Sequence, residues 1–183
     1  LDPVVIDIGA NIGAFTLFAN GKFKNPTIYA FEPENNNYHL LTQNIALNGL
    51  TTKISTFKNA VCANTGTRVL NVAGESSGNN SFSMEQPYES TENVACTTLG
   101  DIFEDNRLER CHLLKLDCEG SEYEILLTAP EHLFNKIETI VVEVHPLIGH
   151  SPEEIKNLLT RHGYTVTVSR TNGAVFIATK KTA

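Results

Sequence analysis

Residues 4–13 read VVIDIGANIG, an apolar run that ends in an acid and passes through glycines and small residues into an apolar helical pattern. An unbroken apolar run suits a strand buried on both faces, and a bare-backbone bend at its end lets the chain turn into a helix. That order occurs where an open α/β sheet receives a nucleotide-like ligand beyond its strand ends.

The rest of the chain repeats the alternation. Strands are expected at Val4 to Ile8, Thr27 to Phe31, Lys53 to Lys58, His112 to Leu116, Thr139 to Val144, Thr165 to Ser169 and Ala174 to Thr179. Helical patterns fall between them, at about Ile12 to Ala19, Asn36 to Leu47, Leu99 to Glu104, Glu122 to Leu127, Pro130 to Phe134 and Ser151 to His162. Alternating strands and helices imply parallel pairing with right-handed crossovers, hence an α/β, Rossmann-like sheet covered by helices on both faces. Only Arg170 to Gly173 separates the last two strands, a connection too short for anything but an antiparallel hairpin. The segment Gly74 to Asn93 is polar and Ser- and Asn-rich, flanked by strand-like pieces at Arg68 to Val72 and Val94 to Thr97, and reads as either a binding loop or a disordered insert.

Composition narrows the function classes. The 183 residues, 41% hydrophobic, suffice for one domain with a substantial core. The net charge is −7 and the 14 basic residues are scattered, so no nucleic-acid partner is expected. Cys62, Cys96, Cys111 and Cys118 lack metal-site or paired spacing and read as free thiols. No apolar run is long enough to cross a bilayer, and the expected compartment is the cytoplasm. A chain opening on Leu1 reads as a piece of a longer protein, with an N-terminal region ahead of it.

In the stretch Asp7 to Gly13, Gly9 and Gly13 would let a ligand approach backbone N–H groups at the positive end of a helix, a place for a carboxylate. Asp7 would oppose a second anion and welcome an ammonium. Asn11 stands where a dinucleotide fingerprint needs its second glycine, which disfavours a pyrophosphate. One βαβ unit later the second strand ends in Glu32, whose carboxylate can accept bonds from both hydroxyls of a ribose. Beyond the third strand, an adenine would lie against Asn59, Ala60 and Val61. A ligand that is an amino acid at one end and a phosphate-free nucleoside at the other is S-adenosylmethionine.

With VVIDIGANIG, IYAFEPENNNYHLLTQNIALNG, TTLGDIF, LLKLDCEGSEYEIL and IVVEVHP in this order, the chain resembles the FkbM family of S-adenosylmethionine-dependent methyltransferases over residues 4 to 179. The resemblance implies a class I methyltransferase fold, a seven-stranded sheet of order 3-2-1-4-5-7-6 with the last strand antiparallel. It also implies O-methylation of a hydroxyl on a small acceptor such as a sugar or natural product. Carried over, it places cofactor contacts at Asp7, Gly9, Asn11, Gly13, Glu32 and Asp117. Gly100 departs from the family pattern, standing where TTLGD would usually read TTLD, and Asp101 is the acid left to replace the missing one.

Deprotonating an alcohol invites a general base. Asp117 and Glu119 in LDCEG, and Glu143 and His145 in VEVHP, would share one rim if both strands persist. His145 is the expected base, with Glu143 or Glu119 orienting it or holding the acceptor hydroxyl. A divalent metal held by Asp117, Glu119, Glu143 and His145 is chemically possible, but none is assigned. His112, His132, His150 and His162 read as surface or helix-end residues, and Tyr123 as core. Two other readings of the same pattern are a nicotinamide-dependent oxidoreductase and a module that binds the cofactor without transferring anything.

Overall fold

The computed structural model describes residues 2–73, 80–82, 88–171 and 173–180. In chain order the elements are β1 (Val4–Ile8), α1 (Ala14–Lys22), β2 (Thr27–Phe31), α2 (Asn35–Leu47), β3 (Ile54–Phe57), β4 (Ala60–Val61), β5 (Gly66–Val72), β6 (Ser90–Thr97) and α3 (Leu99–Asp105). There follow β7 (Cys111–Leu116), α4 (Glu122–Thr128), a 3-10 turn (Glu131–Asn135), β8 (Ile137–Val144), α5 (Pro152–Arg161), β9 (Tyr164–Thr171) and β10 (Gly173–Lys180).

Seven strands form one sheet in the order β3-β2-β1-β7-β8-β10-β9, with β10 antiparallel to both its neighbours and the other pairings parallel. Counted along the chain this is the expected order 3-2-1-4-5-7-6. Central strands carry apolar side chains on both faces because helices cover both, and Val5, Ile6, Leu114, Ile140 and Val142 are wholly buried. Each such side chain contributes roughly 1.5–3 kcal/mol.

The strand-like pieces around the polar segment are real strands with a job of their own. Together with β4 they make a second sheet, β4-β6-β5, standing against the rim of the first. Ser81 is tied to this sheet by a backbone bridge to Asn71, with Asn71 N–H donating to Ser81 O at 2.9 Å and the reverse bond at 3.1 Å. Much of the expected loop, residues 74–79 and 83–87, lies outside the described residues.

Local caps explain the helix starts. The Glu34 carboxylate accepts from the N–H groups of Asn36 and Asn37, so α2 is capped by an acid rather than by the asparagines that follow it. Thr98 and Asp101 form a reciprocal capping box at α3, and Asp101 also accepts from Thr65 Oγ1 at 2.6 Å. The question raised by Gly100 is answered there: Asp101 supplies the acid. Ser151 and Glu154 cap α5 in the same way, with Pro152 in the first turn. The helix expected over Pro130 to Phe134 is instead a single 3-10 element over Glu131–Asn135.

Candidate active site

The carboxyl ends of β1, β2, β7 and β8 open on a cavity of about 270 Å³, roofed by the second sheet. Gly9, Asn11, Glu32, Asn59, Ala60, Val61, Asp117, Glu119, Glu143 and His145 all line it, so ten of the predicted site residues are brought together. Two are not: Asp7 and Gly13 do not reach its wall.

Asp7 is fully buried beneath the cavity, with its carboxylate engaged by protein groups where a ligand was expected. It is the register partner of Lys115 across the parallel pair β1–β7, and Lys115 Nζ lies 3.2 Å from its Oδ1 while Thr16 Oγ1 donates to its Oδ2 at 2.5 Å. Two charges in central strands must pair or be lost, and these pair with each other. The Lys115 ammonium also donates to Gly9 O at 2.7 Å and lies 3.6 Å from Asp117 Oδ2. Burial works against its charge, but Asp7 and Asp117 overcome this and raise its pKa. Asp7 therefore acts beneath the loop, through Lys115, and Asp117 is the acid that faces the cavity.

The loop itself departs from the expected anion cradle. Its N–H groups are taken by protein acceptors: Gly9 and Ala10 donate to Phe31 O, Asn11 to Glu32 Oε2 at 2.8 Å, Ile12 to Asn11 Oδ1 at 2.7 Å, and Gly13 to Ala10 O at 2.8 Å. Gly9 is required for close packing: with φ at 75°, a Cβ there would meet Asp117 O at 1.9 Å. Gly13, with φ at 92°, serves as the left-handed cap of α1 and packs under Leu41.

Glu32 points inward, 5% exposed. One oxygen accepts from Asn11 N–H and the other from Glu34 N–H at 3.0 Å, and the Asn37 side chain adds a third hydrogen bond, so the carboxylate keeps some acceptor capacity for a ligand. Burial raises its pKa to about 7, against the lowering effect of those hydrogen bonds. Phe31, Val61, Leu70 and Phe82 form the apolar side of the cavity near Asn59 and Ala60.

At the other end, β7 stops at Leu116, so Asp117 and Glu119 do not share a strand face as expected. Glu119 adopts φ 51°, a strained left-handed conformation for a residue with a side chain, and Gly120 follows at φ 103°. Glu122 organises this turn. Wholly buried, its carboxylate accepts from Cys118 N–H at 2.8 Å and Gly120 N–H at 2.9 Å, and its Oε1 lies 2.9 Å from His145 Nδ1. With Nδ1 so engaged, His145 turns Nε2 toward Glu119 Oε2 at 3.5 Å and Asp117 Oδ1 at 4.0 Å.

These charges set the titration. Burial alone would lower the His145 pKa, but the hydrogen bond and charge of Glu122, with Glu119 and Asp117, raise it to about 9. The Glu119 carboxyl is raised, chiefly by burial and then by its acidic neighbours, against the pull of His145. Asp117, Glu143 and His145 each offer a ligand atom within 4.8 Å of the others, the group best placed among the described residues to hold a metal ion.

Sequence reasoning missed Lys115 and Glu122. A lysine inside HLLKL and a glutamate three residues into EGSEYE were both signals, since a charge in a buried strand or at a buried helix start demands a partner. Ser81 and Phe82 were missed because only the second sheet brings them to the rim.

A sequence model described as the methyltransferase FkbM domain matches residues 7–166. The chain belongs to the FkbM methyltransferase family. Among curated relatives it is 28% identical to the methyltransferase sdnD of Sordaria araneosa, over 94% of this chain and 78% of that protein. It is 27% identical to the 31-O-demethyl-FK506 methyltransferase FkbM of Streptomyces tacrolimicus, over 89% of this chain and 73% of that one. Among solved structures, the FkbM methyltransferase of Methylobacillus flagellatus superposes with a TM-score of 0.70 at 16% identity, covering 97% of this chain. The chain spans 43% of the length of that solved protein. TrmK of M. capricolum, solved with S-adenosyl-homocysteine, superposes at 0.57 with 12% identity, over 97% of this chain and 61% of that one, sharing the class I methyltransferase fold. The FkbM family assignment and this fold make the chain a methyltransferase of Rossmann-like architecture.

Proposed function

We propose that this FkbM methyltransferase uses S-adenosylmethionine to methylate a hydroxyl of a small acceptor, of the sugar or natural-product kind. The observation that carries the reading is the pairing of Glu32, a buried carboxylate with spare acceptor capacity on one wall, with the clamped His145 on the opposite side of the same cavity. Glu32 fits a ribose diol, Asn59, Ala60 and the apolar wall fit an adenine, and Asp117 fits an ammonium. The family, and the fold shared with a protein solved with S-adenosyl-homocysteine, support the same cofactor. The name of the FK506 relative supports an oxygen acceptor.

The cofactor would supply a methyl on a sulfonium: the C–S bond breaks with its electron pair left on sulfur, and a C–O bond forms to the acceptor. The residues then have two tasks. Glu119 and Glu143 hold the acceptor hydroxyl close and in line, which accounts for much of the rate. His145, in its neutral form, takes the hydroxyl proton at Nε2 while Nδ1 stays on Glu122.

Calorimetry with S-adenosylhomocysteine and with NAD, on the native protein and on Glu32→Ala and His145→Ala, tests this. Only S-adenosylhomocysteine should bind, Glu32→Ala should abolish that binding, and His145→Ala should bind normally but turn over poorly. Binding of NAD alone would refute the cofactor; undiminished turnover in His145→Ala would remove the base.

A further inference from the structure

Cys62 and Cys96 lie 34 positions apart in the chain, yet the second sheet sets them side by side, with Cys62 Sγ donating to Cys96 Sγ at 2.8 Å. Both are free thiols and almost wholly buried. Strand pairing brings them together: Ala60 of β4 is the register partner of Cys96 in β6, and Cys62 N–H continues the ladder by donating to Thr97 O at 2.8 Å. With Ala60, Leu70 and Val94 they form a small apolar cluster, separate from the two clusters of the main sheet. A sheet with so little buried apolar surface, and with a long connection from Val72 to Ser90, is where a cross-link adds most to order.

A recess of about 340 Å³ reaches both thiols, and polar side chains of Asn64, Thr65, Thr67, Arg68 and Glu124 line it with them. It admits a small polar molecule. Neither thiol lines the cavity at the strand ends, and neither Cys111, which opens β7, nor Cys118, which follows that strand, shares the recess. Arg68, paired to Glu124 Oε1 at 2.6 Å, is a cation beside Cys62 and favours its thiolate. Burial and the contact with Cys96 outweigh that pull and push the Cys62 thiol up to about 12, so it reacts slowly at neutral pH and faster in alkali.

We propose that Cys62 and Cys96 are an oxidation site, at which a peroxide closes a disulfide that staples β4 to β6 and so holds the wall formed by Ala60 and Val61. Cys62 Sγ loses its proton and attacks one peroxide oxygen; the O–O bond breaks, the other oxygen leaves as water, and a sulfenic acid remains. Cys96 Sγ then attacks that sulfur and loses its own proton, the S–O bond breaks, and a second water leaves. The two thiols together give up two electrons, and the peroxide is reduced to two waters. The sulfurs already touch, so the bond closes with little rearrangement. No step depends on what the cavity at the strand ends binds.

Treatment with hydrogen peroxide at about pH 8.5, ended with catalase and followed by thiol counting in denaturant, tests this. The chain carries four cysteines, and the count should fall from four to two. Peptide mapping should find Cys62 joined to Cys96. Tm should rise by about 5–10 °C, because the bond closes a long segment of chain, and dithiothreitol should restore both the count and the Tm. In Cys62→Ala and in Cys96→Ala, peroxide should leave Tm no higher. Affinity for S-adenosylhomocysteine should change less than about twofold on oxidation. Four free thiols after treatment, a bond joining any other pair, or an oxidised protein no more stable than the reduced one would overturn the proposal. Loss of S-adenosylhomocysteine binding on oxidation would overturn it too, since the bond would then distort β4 instead of holding it.

Discussion

If Glu32 grips a ribose, cofactor affinity must depend on pH in a specific way. The carboxyl is held at about 7 in the ligand-free protein, against an ordinary 4.5, because it is buried. At ~1.36 kcal/mol per pH unit this difference is about 3 kcal/mol. The sign follows from which form each state prefers. An acid whose folded pKa is raised favours the fold below pH 4.5, and that contribution is lost as pH rises through 7, so the ligand-free protein should lose up to about 3 kcal/mol of stability across that window. Ribose hydroxyls donate, so they bind the ionised form and pull the pKa down again. Affinity for S-adenosylhomocysteine should therefore climb from pH 5 to about 7 and level off. If the two hydroxyls return the group to its ordinary value, the gain between pH 5 and 8 is on the order of fifty- to a hundredfold. Calorimetry in buffers of different ionisation heat should also register close to one proton released per ligand bound near pH 6. Glu32→Gln should bind weakly, with a flat profile and no proton release. A flat profile in the native protein, or the same slope in Glu32→Gln, would refute the assignment of Glu32 to the ribose.

Three further outcomes are expected. Lys115→Met should cost about 3–5 kcal/mol by chemical denaturation, because it strands Asp7 as a buried charge; a loss under 1 kcal/mol would mean that Thr16 alone suffices. Turnover should rise with pH toward about 9, since His145 must lose its proton to act as a base, and the rise should vanish in His145→Gln; an NMR titration placing the imidazole near its ordinary 6.5 would contradict the clamp by Glu122. Turnover should survive chelation by EDTA; stimulation by manganese that disappears in Glu143→Gln would instead make Asp117, Glu143 and His145 metal ligands.

Much of this site was legible before any coordinates. Glu32 could be placed because a strand of known period ended there, one βαβ unit after the first, and its partner Asn11 N–H sits on the loop the same pattern located. His145 and Glu143 were found because β8 persists to Val144. Glu119 reaches the expected rim by another route: β7 does not extend to it, and a left-handed turn clamped by Glu122 puts it there. The sequence points Asp7 at the ligand because its partner Lys115 lies over a hundred residues away, a pairing that only strand register reveals.

The amino-acid sequence alone determined the alternation of buried strands and helices, the reversed final strand, and the acids at the strand ends, because periodicity, turn length and strand-end position are local properties of the chain. Tertiary structure decided which charges answer each other. Register set Lys115 beside Asp7, the buried Glu122 turned His145 toward the rim, and the small sheet brought Ser81 and Phe82 to the cavity. Those choices come from desolvation, which makes every buried charge and donor find a partner, and the partner is fixed by distance in space and not by distance along the chain.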